Sequence, residues 1–276
     1  MTQPLNTLLN LINHIISVHK ELAPHVEALA QKVQGKPISA TKFNNEAKNR
    51  FEQDKQKFIN AGGQITHNYP IYTDFNDTAG VAKGHYFHQD LLVASYIFKQ
   101  NPKKHLDIGS RVDGFVAHVA AFRQIEICDI RPLNSSEHEN IAFKKIDLTD
   151  SKEISNYSYD SISCLHAIEH FGLGRYGDNI DPNGHTKGLE NIINILEKGG
   201  TLYISFPIAE SNQVHFNAHR VFHPHDIFRW TENMKFLKLV QFDYVDDAGN
   251  LHKSVDLYAN TPMCKHGCGI YTFVKI

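Results

Sequence analysis

Short apolar runs alternate with helical segments between residues 105 and 208, and this alternation constrains the fold more than any other feature. The runs typical of β-strands are "KHLDI", "QIEICDI", "IAFKKIDLTD", "YDSISCL" and "TLYISFPI". Helical spacing is found in "DGFVAHVAAF" and in "HTKGLENIINILEKGG", where Gly199 and Gly200 are expected to close the helix. Strands and helices that alternate in this way predict a parallel sheet with helices on both faces.

Both ends of the chain depart from this alternation. Residues 1–35 and 39–62 have helical spacing, residues 70–84 are typical of a loop, and residues 89–100 predict another helix. Near the C-terminus, "HPHDIFRWTE" predicts a helix, and "FLKLVQFDYV" and "GIYTFVKI" are two strand-like runs with no helix between them, so the last strand is expected to be antiparallel. The sequence therefore predicts an α/β, Rossmann-like sheet over residues 66–276 and a helical N-terminal extension over residues 1–65.

The composition is that of an ordinary globular protein. The 276 residues carry a formal net charge of -2 and are 41% hydrophobic, which gives no basic bias toward nucleic acid. No apolar run approaches the length of a membrane span, and "MTQPLNTLLNLINHIISVHKEL" lacks the features of a signal peptide. We expect a cytoplasmic protein with no nucleic-acid partner and no membrane span.

The four cysteines do not form the pattern of a disulfide scaffold. Cys128 and Cys164 lie in strand-like runs, and Cys264 and Cys268 bracket "CKHGC". This group could hold a metal with His266, but it lacks the second ligand pair of a zinc site. A surface turn is the favoured interpretation of "CKHGC".

The first strand leads into "HLDIGSRVDGF", which resembles a nucleotide-binding turn with most of its glycines replaced. Gly109 can form the tight turn, but Arg111 and Asp113 stand where a pyrophosphate would need bare backbone. A carboxylate at Asp113 would repel a pyrophosphate. This disfavours a dinucleotide, and with it the alternative of an NAD(P)-dependent oxidoreductase.

Three acids close three successive predicted strands, at the sheet edge where ligands bind in open α/β folds. S-adenosylmethionine has no phosphate and offers an ammonium, a carboxylate, a ribose diol and an adenine to such a site. We expect Asp107 to receive the ammonium, Arg111 the carboxylate, Asp129 the ribose hydroxyls, and Asp147 the adenine amine beside the backbone amide of Leu148.

The motifs "LDIGSRVDGF", "CDIRPL", "KIDLTD", "YDSISCLHAIEH" and "GGTLYISFPI" resemble, in order, those of class I S-adenosylmethionine-dependent methyltransferases. With "GHYFHQDL" and "RVFHPHDI", the chain resembles a little-characterised branch associated with bacterial surface-polysaccharide gene clusters and nematodes. The resemblance implies a methyltransferase sheet with a terminal hairpin and a preceding segment folded over the cofactor. Further cofactor-binding candidates are then Tyr86, His88, Gln89, Gly109, Ser110, Ile130 and His166.

Transfer of a methyl group to an oxygen requires alignment of the acceptor and a base for its proton. Histidine-rich segments follow the fourth and fifth strands, where the acceptor should bind. His170 and His219 are the first candidates for the base, and His223 is the next. The resemblance implies that Glu169 or His170 faces the acceptor. Polar loops favour a sugar or another polar metabolite, such as a nucleotide sugar or a glycan in surface-glycan biosynthesis.

Several alternatives stay open. The string from His166 to His170 matches H-x-x-E-H, which would make a metal-dependent hydrolase if it lay within a helix. A divalent metal held by Glu169, Asp178 and a histidine is conceivable but not predicted. A non-catalytic module is a third alternative, and the amphipathic N-terminal segment is compatible with a homodimer.

Overall fold

The structure, a computed structural model, describes residues 40–154 and 156–276. The helices predicted within residues 1–35 lie outside the described residues. The chain divides into two compact units, Met1–Val81 and Ala82–Ile276. The predicted domain boundary after residue 65 falls within the first unit and stays a prediction.

In the first unit, the structure describes residues 40–81, which contain the long helix α1 (Ala40–Asn60) that corresponds to the polar helical pattern in the sequence. Gly62 follows the helix with a φ of 91°, a left-handed conformation that suits glycine at a helix end. A short 3-10 turn, Asp74–Asn76, follows in the segment predicted as a loop. The Arg50 guanidinium lies over the Phe75 ring.

The second unit is built around a β-sheet. Its strands are β1 (His105–Ile108), β2 (Ile125–Asp129), β3 (Ile141–Lys145), β4 (Tyr159–Leu165), β5 (Leu196–Ile208), β6 (Gln213–His215), β7 (His219–Val221), β8 (Leu237–Val245), β9 (Leu251–His252) and β10 (Gly267–Lys275). Eight of them form one sheet in the order β3-β2-β1-β4-β5-β10-β8-β9, and β6 pairs with β7 in a separate ribbon.

The strand directions in this sheet confirm the predicted fold class. Strands β1 to β5 pair in parallel, so their carboxyl ends meet at one edge. The last strand, β10, is antiparallel to both of its neighbours, β5 and β8. A mostly parallel sheet with antiparallel C-terminal strands is therefore present, and the first residues of β10 lie at the same edge as the last residues of β5.

The helices of the second unit are α2 (His85–Gln100), α3 (Ala117–Ala120), α4 (Ser151–Ile154) and α5 (Gly184–Ile195). The helix predicted over "DGFVAHVAAF" is interrupted, because a π-helical turn precedes α3 and contains Gly114 with non-helical angles. The helix expected to close at Gly199 and Gly200 ends earlier, because Leu196 is extended and begins β5. The segment "HPHDIFRWTE" forms 3-10 turns rather than a helix.

The apolar core lies on both faces of the sheet, as expected for parallel strands that are buried on both sides. One cluster contains Ile162 and Phe206, and the other contains Val93 and Ile127. All four cysteines are buried and reduced. The surface turn favoured for "CKHGC" is therefore wrong in one respect, because Cys264 and Cys268 both point into the protein.

None of the described helices combines the length and the apolar character that crossing a bilayer requires.

Candidate functional site

A cavity lies at the carboxyl ends of the first four strands. It brings together residues that the sequence analysis selected from four separate motifs. The predicted residues that line it are Gly109, Asp129, Ile130, Asp147, Leu148, His166 and His170. Other lining residues include Cys128, Arg131, Ile146, Thr149, Phe171, Tyr176 and Asp178.

Asp129 is the last residue of β2, and its carboxylate is held by the residue two positions later. Arg131 donates to it from its backbone N–H at 2.8 Å and from Nη2 at 2.6 Å. The Arg131 guanidinium also lies 4.3 Å from the centre of the Tyr176 ring, on the cavity wall. The cavity thus has a carboxylate in a fixed position at the end of β2, as a ribose diol would require.

Asp147 follows β3, and it shapes the turn that forms the next part of the cavity. Its Oδ1 accepts from the backbone N–H of Thr149 at 2.8 Å and from the Thr149 hydroxyl at 2.7 Å. Leu148 is buried between these two residues. An apolar side chain between two polar turn residues is suited to hold the edge and the face of a planar base.

Asp107 lies in β1, is fully buried and does not line the cavity. Its Oδ1 accepts from the Ser163 hydroxyl at 2.6 Å and from the Ser110 hydroxyl at 2.7 Å, and its Oδ2 accepts from the Ser110 backbone at 3.2 Å. Burial raises its pKa to about 6, although these hydrogen bonds favour the charged form. Asp107 therefore anchors the turn after β1, and its contact with the ammonium group of the cofactor stays a prediction.

Gly109 is the residue at which this turn faces the cavity. Its φ is 68°, and a Cβ placed on it would lie 3.0 Å from the Cβ of Ala167. Both facts favour glycine, because a side chain here would be strained and would also narrow the cavity.

The residues predicted to hold the methionine end of the cofactor do not line the cavity. Arg111 is exposed and pairs with Asp113 at 2.9 Å. The buried Gln89 donates to Asp90 and accepts from the Ser205 hydroxyl, so it ties α2 to β5. The remaining two lie on the first turn of α2: the Tyr86 ring is 5.1 Å from the His166 ring, and the His88 ring contacts Phe87.

The H-x-x-E-H string does not have the geometry of a hydrolase metal site. His166 precedes a 3-10 turn, Ile168–His170, and has a φ of 49°, so the two histidines do not lie one helical turn apart on one face. Instead, the Nδ1 atom of His166 bonds to Glu169 Oε1 at 2.9 Å, and the Nδ1 atom of His170 bonds to the carbonyl of Ala218 at 2.7 Å. The two imidazoles are therefore oriented by different partners.

Burial and pairing set the protonation of these groups. Burial lowers the pKa of His170, although Glu169 opposes this change. For His166, burial also disfavours the charged form, but Cys268 and Glu169 raise its pKa well above the usual value. Burial disfavours the charged form of Glu169 as well, but the hydrogen bond and the charge of His166 lower its pKa overall. His170 is thus neutral near pH 7, and its Nε2 atom lies 3.8 Å from Glu169 Oε1.

The loop after β4 is organised by polar groups that are not available for a metal. Asp178 accepts backbone N–H bonds from Gly172, Gly174 and Tyr176. Gly172 has a φ of 79°, and a Cβ on it would overlap the carbonyl of Asp181. The structure does not bring the carboxylate of Asp178 together with Glu169 and a histidine as a cation site, because its oxygens already shape the loop.

A group of four imidazoles and one thiol lies beside the cavity, and we call it the histidine cluster. Its members are His85, His166, His219, His266 and Cys268. The His85 ring stacks on the His166 ring at 5.5 Å and on the His266 ring at 5.8 Å. The rings of His219 and His266 are 5.5 Å apart. Burial, together with nearby histidines, lowers the pKa of His85 and of His219 to about 4. His85 could not be selected from the sequence, because it begins α2 and is far from the other members of the cluster along the chain.

His223 lines neither the cavity nor the histidine cluster. It lines a separate cleft with His225 and Arg229, and its backbone N–H donates to Asn212 at 2.6 Å. Of the three candidate bases, His170 lines the cavity, and the His219 ring lies 6.4 Å from the His170 ring.

Comparison with protein families gives one match, to a family described as "Caenorhabditis protein of unknown function, DUF268", over residues 122–260. These residues make up just over half of the 276-residue chain. The chain belongs to the DUF268 family. The part shared with that family contains Asp129, Asp147 and His170, whereas Gly109 and Cys268 lie outside it. Among curated proteins, none matches the sequence.

Solved structures of methyltransferases resemble this DUF268 member. A methyltransferase from Burkholderia thailandensis, solved with 1,6-didemethyltoxoflavin and S-adenosylhomocysteine, is 12% identical, with a TM-score of 0.49, and the match covers 87% of this chain and 92% of that one. An S-adenosylmethionine-dependent methyltransferase from Clostridium acetobutylicum is 14% identical, with a TM-score of 0.47 and coverage of 69% and 92%. The N-methyltransferase NodS from Bradyrhizobium japonicum, solved with S-adenosylhomocysteine, is 12% identical, with a TM-score of 0.43 and coverage of 76% and 93%.

Proposed function

We propose that this DUF268-family chain is an S-adenosylmethionine-dependent methyltransferase whose cavity binds the adenosine half of the cofactor. The observation that carries the proposal is the convergence of three strand ends on one cavity, with Gly109, Asp129 and Asp147 on its walls. In open α/β sheets, ligands bind outside the carboxyl ends of the strands. Asp129 would hold the ribose hydroxyls, Asp147 would accept from the adenine amine, and Ile130 and Leu148 would contact the base.

The same cavity is poorly suited to a nicotinamide dinucleotide. A pyrophosphate needs several backbone N–H groups free of side chains, and it is repelled by carboxylates. After Gly109 the turn carries Ser110, Arg111 and an exposed carboxylate at Asp113. The Arg111 guanidinium is already paired with that carboxylate, so it gives a diphosphate little compensation.

For the acceptor we propose a sugar hydroxyl or another polar metabolite, and for the pathway class surface-glycan biosynthesis. The support is the histidine cluster beside the cavity, which offers hydrogen-bonding groups to a polyol rather than an apolar slot for an aromatic ring. The resemblance to a branch associated with surface-polysaccharide gene clusters points the same way. A nucleotide-linked sugar and a glycan are both compatible with this chemistry.

His170 is the base that we propose for an oxygen acceptor. Its Nδ1–H donates to the carbonyl of Ala218, which fixes the tautomer with an unprotonated Nε2 atom, and the residue lines the cavity. When bound, the cofactor supplies an electrophilic methyl group on a positively charged sulfur. His170 would take the acceptor's hydroxyl proton as the oxygen–carbon bond forms, and the carbon–sulfur electron pair would leave with the sulfur as the neutral thioether.

The experiment is an assay of S-adenosylhomocysteine release by the full chain with a panel of nucleotide sugars. Replacement of a general base typically lowers the rate by about 10²- to 10⁴-fold. We expect His170→Ala to lower kcat within this range while S-adenosylhomocysteine binding changes less than about threefold.

The matched control is His118→Ala. His118 also bonds a backbone carbonyl through Nδ1 at 2.7 Å, but it is exposed and lies outside the cavity. Its variant should keep the wild-type kcat. If kcat is unchanged in His170→Ala and lost in His219→Ala, the base is His219. If both variants turn over normally, neither of these two histidines is the base.

A further inference from the structure

Two histidines and a cysteine that are far apart in the sequence bring their ligand atoms together at the carboxyl edge of the sheet. His85 begins α2, His166 follows β4, and Cys268 is the second residue of β10. One ring nitrogen of each histidine and the sulfur of Cys268 lie within 4.8 Å of one another. This is a convergence of three metal-ligand types from three different elements.

His166 is oriented as a metal ligand rather than as a packed core residue. Its side chain is only 6% exposed, and its Nδ1 atom bonds to Glu169, which is itself buried. Its other nitrogen, Nε2, is buried and has no hydrogen-bond partner among the described residues. A carboxylate on one nitrogen and a second nitrogen without a protein partner is the arrangement found behind metal-bound histidines, and a bound metal would displace the proton from Nε2.

We propose that His85, His166 and Cys268 bind a divalent transition-metal ion of the zinc class, with Glu169 as the positioning residue behind His166. Two imidazoles and one thiolate form a ligand set that zinc prefers over magnesium or calcium. A tetrahedral site with normal zinc bond lengths places ligand atoms about 3.4–3.6 Å apart. Small side-chain adjustments from the observed spacing would therefore be enough to close the site.

Three protein ligands leave one coordination position open, which is typical of catalytic rather than structural zinc sites. His85 is half-buried, while Cys268 has no solvent exposure. The open position would thus lie on the side of His85 and His266. This proposal stands apart from the proposed methyltransferase function, since metal binding and cofactor binding can be measured separately.

The test is titration of the reduced, metal-free full chain with Co²⁺, a spectroscopic substitute for Zn²⁺, followed by metal analysis after desalting with Zn²⁺. We expect one equivalent of metal and a thiolate-to-cobalt charge-transfer band in the near ultraviolet. Binding of cobalt without that band, or no binding above the level of a buffer control, would overturn the proposal. The wild-type spectrum alone can decide this, even if a buried variant fails to fold.

Variants locate the ligands. Cys268→Ser should abolish the charge-transfer band, and Cys264→Ser, which replaces another buried cysteine four residues away, should keep it. Because His85 is only half-buried, His85→Ala should fold, and we expect it to weaken metal binding by more than about 100-fold. Glu169→Gln should weaken it by about 10- to 100-fold, as for other groups that orient a ligand.

Two results would contradict the assignment. One is a charge-transfer band that persists in Cys268→Ser and disappears in Cys264→Ser. The other is equal metal affinity in wild type and His85→Ala. Calorimetry with S-adenosylhomocysteine on the same samples tells a failed metal site apart from a failed cofactor site.

Discussion

The two halves of the candidate site differ in how their buried polar groups are satisfied. In the first region, which comprises the cavity and the turn after β1, the carboxylates of Asp107, Asp129 and Asp147 each accept at least two hydrogen bonds from nearby residues. In the second region, which comprises the histidine cluster and the adjacent Glu169, buried atoms of His166, Glu169 and His219 have no hydrogen-bond partner within the described part of the chain. An unsatisfied buried polar atom costs about 1–3 kcal/mol, so the second region carries a cost in free energy that the first region does not, and the metal ion proposed above would reduce it.

The largest effect that we expect concerns the stability of the first region, through Asp107. Its pKa in the folded chain is raised from 3.8 to about 6, so the folded state holds a proton that the unfolded state has lost between these values. The folded state therefore loses stability as the pH rises from about 4 to about 6, by roughly 3 kcal/mol in total, and no further above that range. Asp107→Asn should lack this loss.

Urea unfolding of wild type and Asp107→Asn between pH 4 and pH 7 measures the effect. The difference in free energy of unfolding should move in favour of the variant as the pH rises. Asp113→Asn, which removes an exposed carboxylate six residues later, should follow the wild-type profile closely. Parallel profiles for wild type and Asp107→Asn would show that the pKa of Asp107 is not raised in the folded state.

Next in size is the effect of closing the cavity at Gly109. A Cβ at this position meets Ala167 and requires a left-handed conformation that costs about 1–2 kcal/mol in other residues. We expect Gly109→Ala to weaken S-adenosylhomocysteine binding by at least about 100-fold. Isothermal titration calorimetry provides the measurement.

Gly199→Ala provides the matched control for backbone strain. Gly199 has a φ of 80°, but a Cβ there has no neighbour within 4 Å and lies far from the cavity. It should lower stability and leave binding unchanged. Equal loss of binding in both variants would mean that strain, rather than the cavity wall, accounts for the effect.

The sequence predicted the first region well and the second poorly, and the reason is geometric. Asp129 and Asp147 could be placed because parallel strands end at one edge, so a residue at a strand end lies at the site. The burial of Asp107 could not be predicted, because a residue inside a short strand can face either side. The pairing of Arg111 with Asp113 could not be predicted either, because spacing alone does not show which partner a flexible side chain selects.

The second region depends on contacts between distant segments. Cys268 reaches His85 and His166 only because β10 inserts between β5 and β8 in antiparallel register. The sequence predicted the antiparallel strand but not its register, and "CKHGC" directed attention to a local pair. The early end of α5 was also missed, because "EKGG" is typical of a helix end, yet Leu196 already pairs with β4.

A smaller effect is expected at Asp129. A hydrogen bond to a charged group contributes about 1.5–3 kcal/mol, so Asp129→Asn should weaken S-adenosylhomocysteine binding by roughly 10- to 100-fold. Asp113→Asn is again the matched variant, because Arg111 pairs with Asp113 across two positions just as Arg131 pairs with Asp129. If the two variants bind equally well, the cavity does not use the carboxylate.

The smallest expected effect is an increase in stability when His219 of the histidine cluster is replaced. The Nε2 atom of His219 is buried without a partner, so an apolar ring of similar size removes an unsatisfied group. We expect His219→Phe to raise the free energy of unfolding by about 1 kcal/mol in the ligand-free protein. Urea unfolding measures this change, and a clear loss of stability would show that His219 is already satisfied.

The most direct test of the central claim is calorimetry of the full chain with S-adenosylhomocysteine and, separately, with NADH. We expect one binding site for S-adenosylhomocysteine, which Gly109→Ala weakens by at least about 100-fold, and no measurable heat with NADH. Saturable binding of NADH in that cavity, or no binding of S-adenosylhomocysteine by a folded protein, would contradict it.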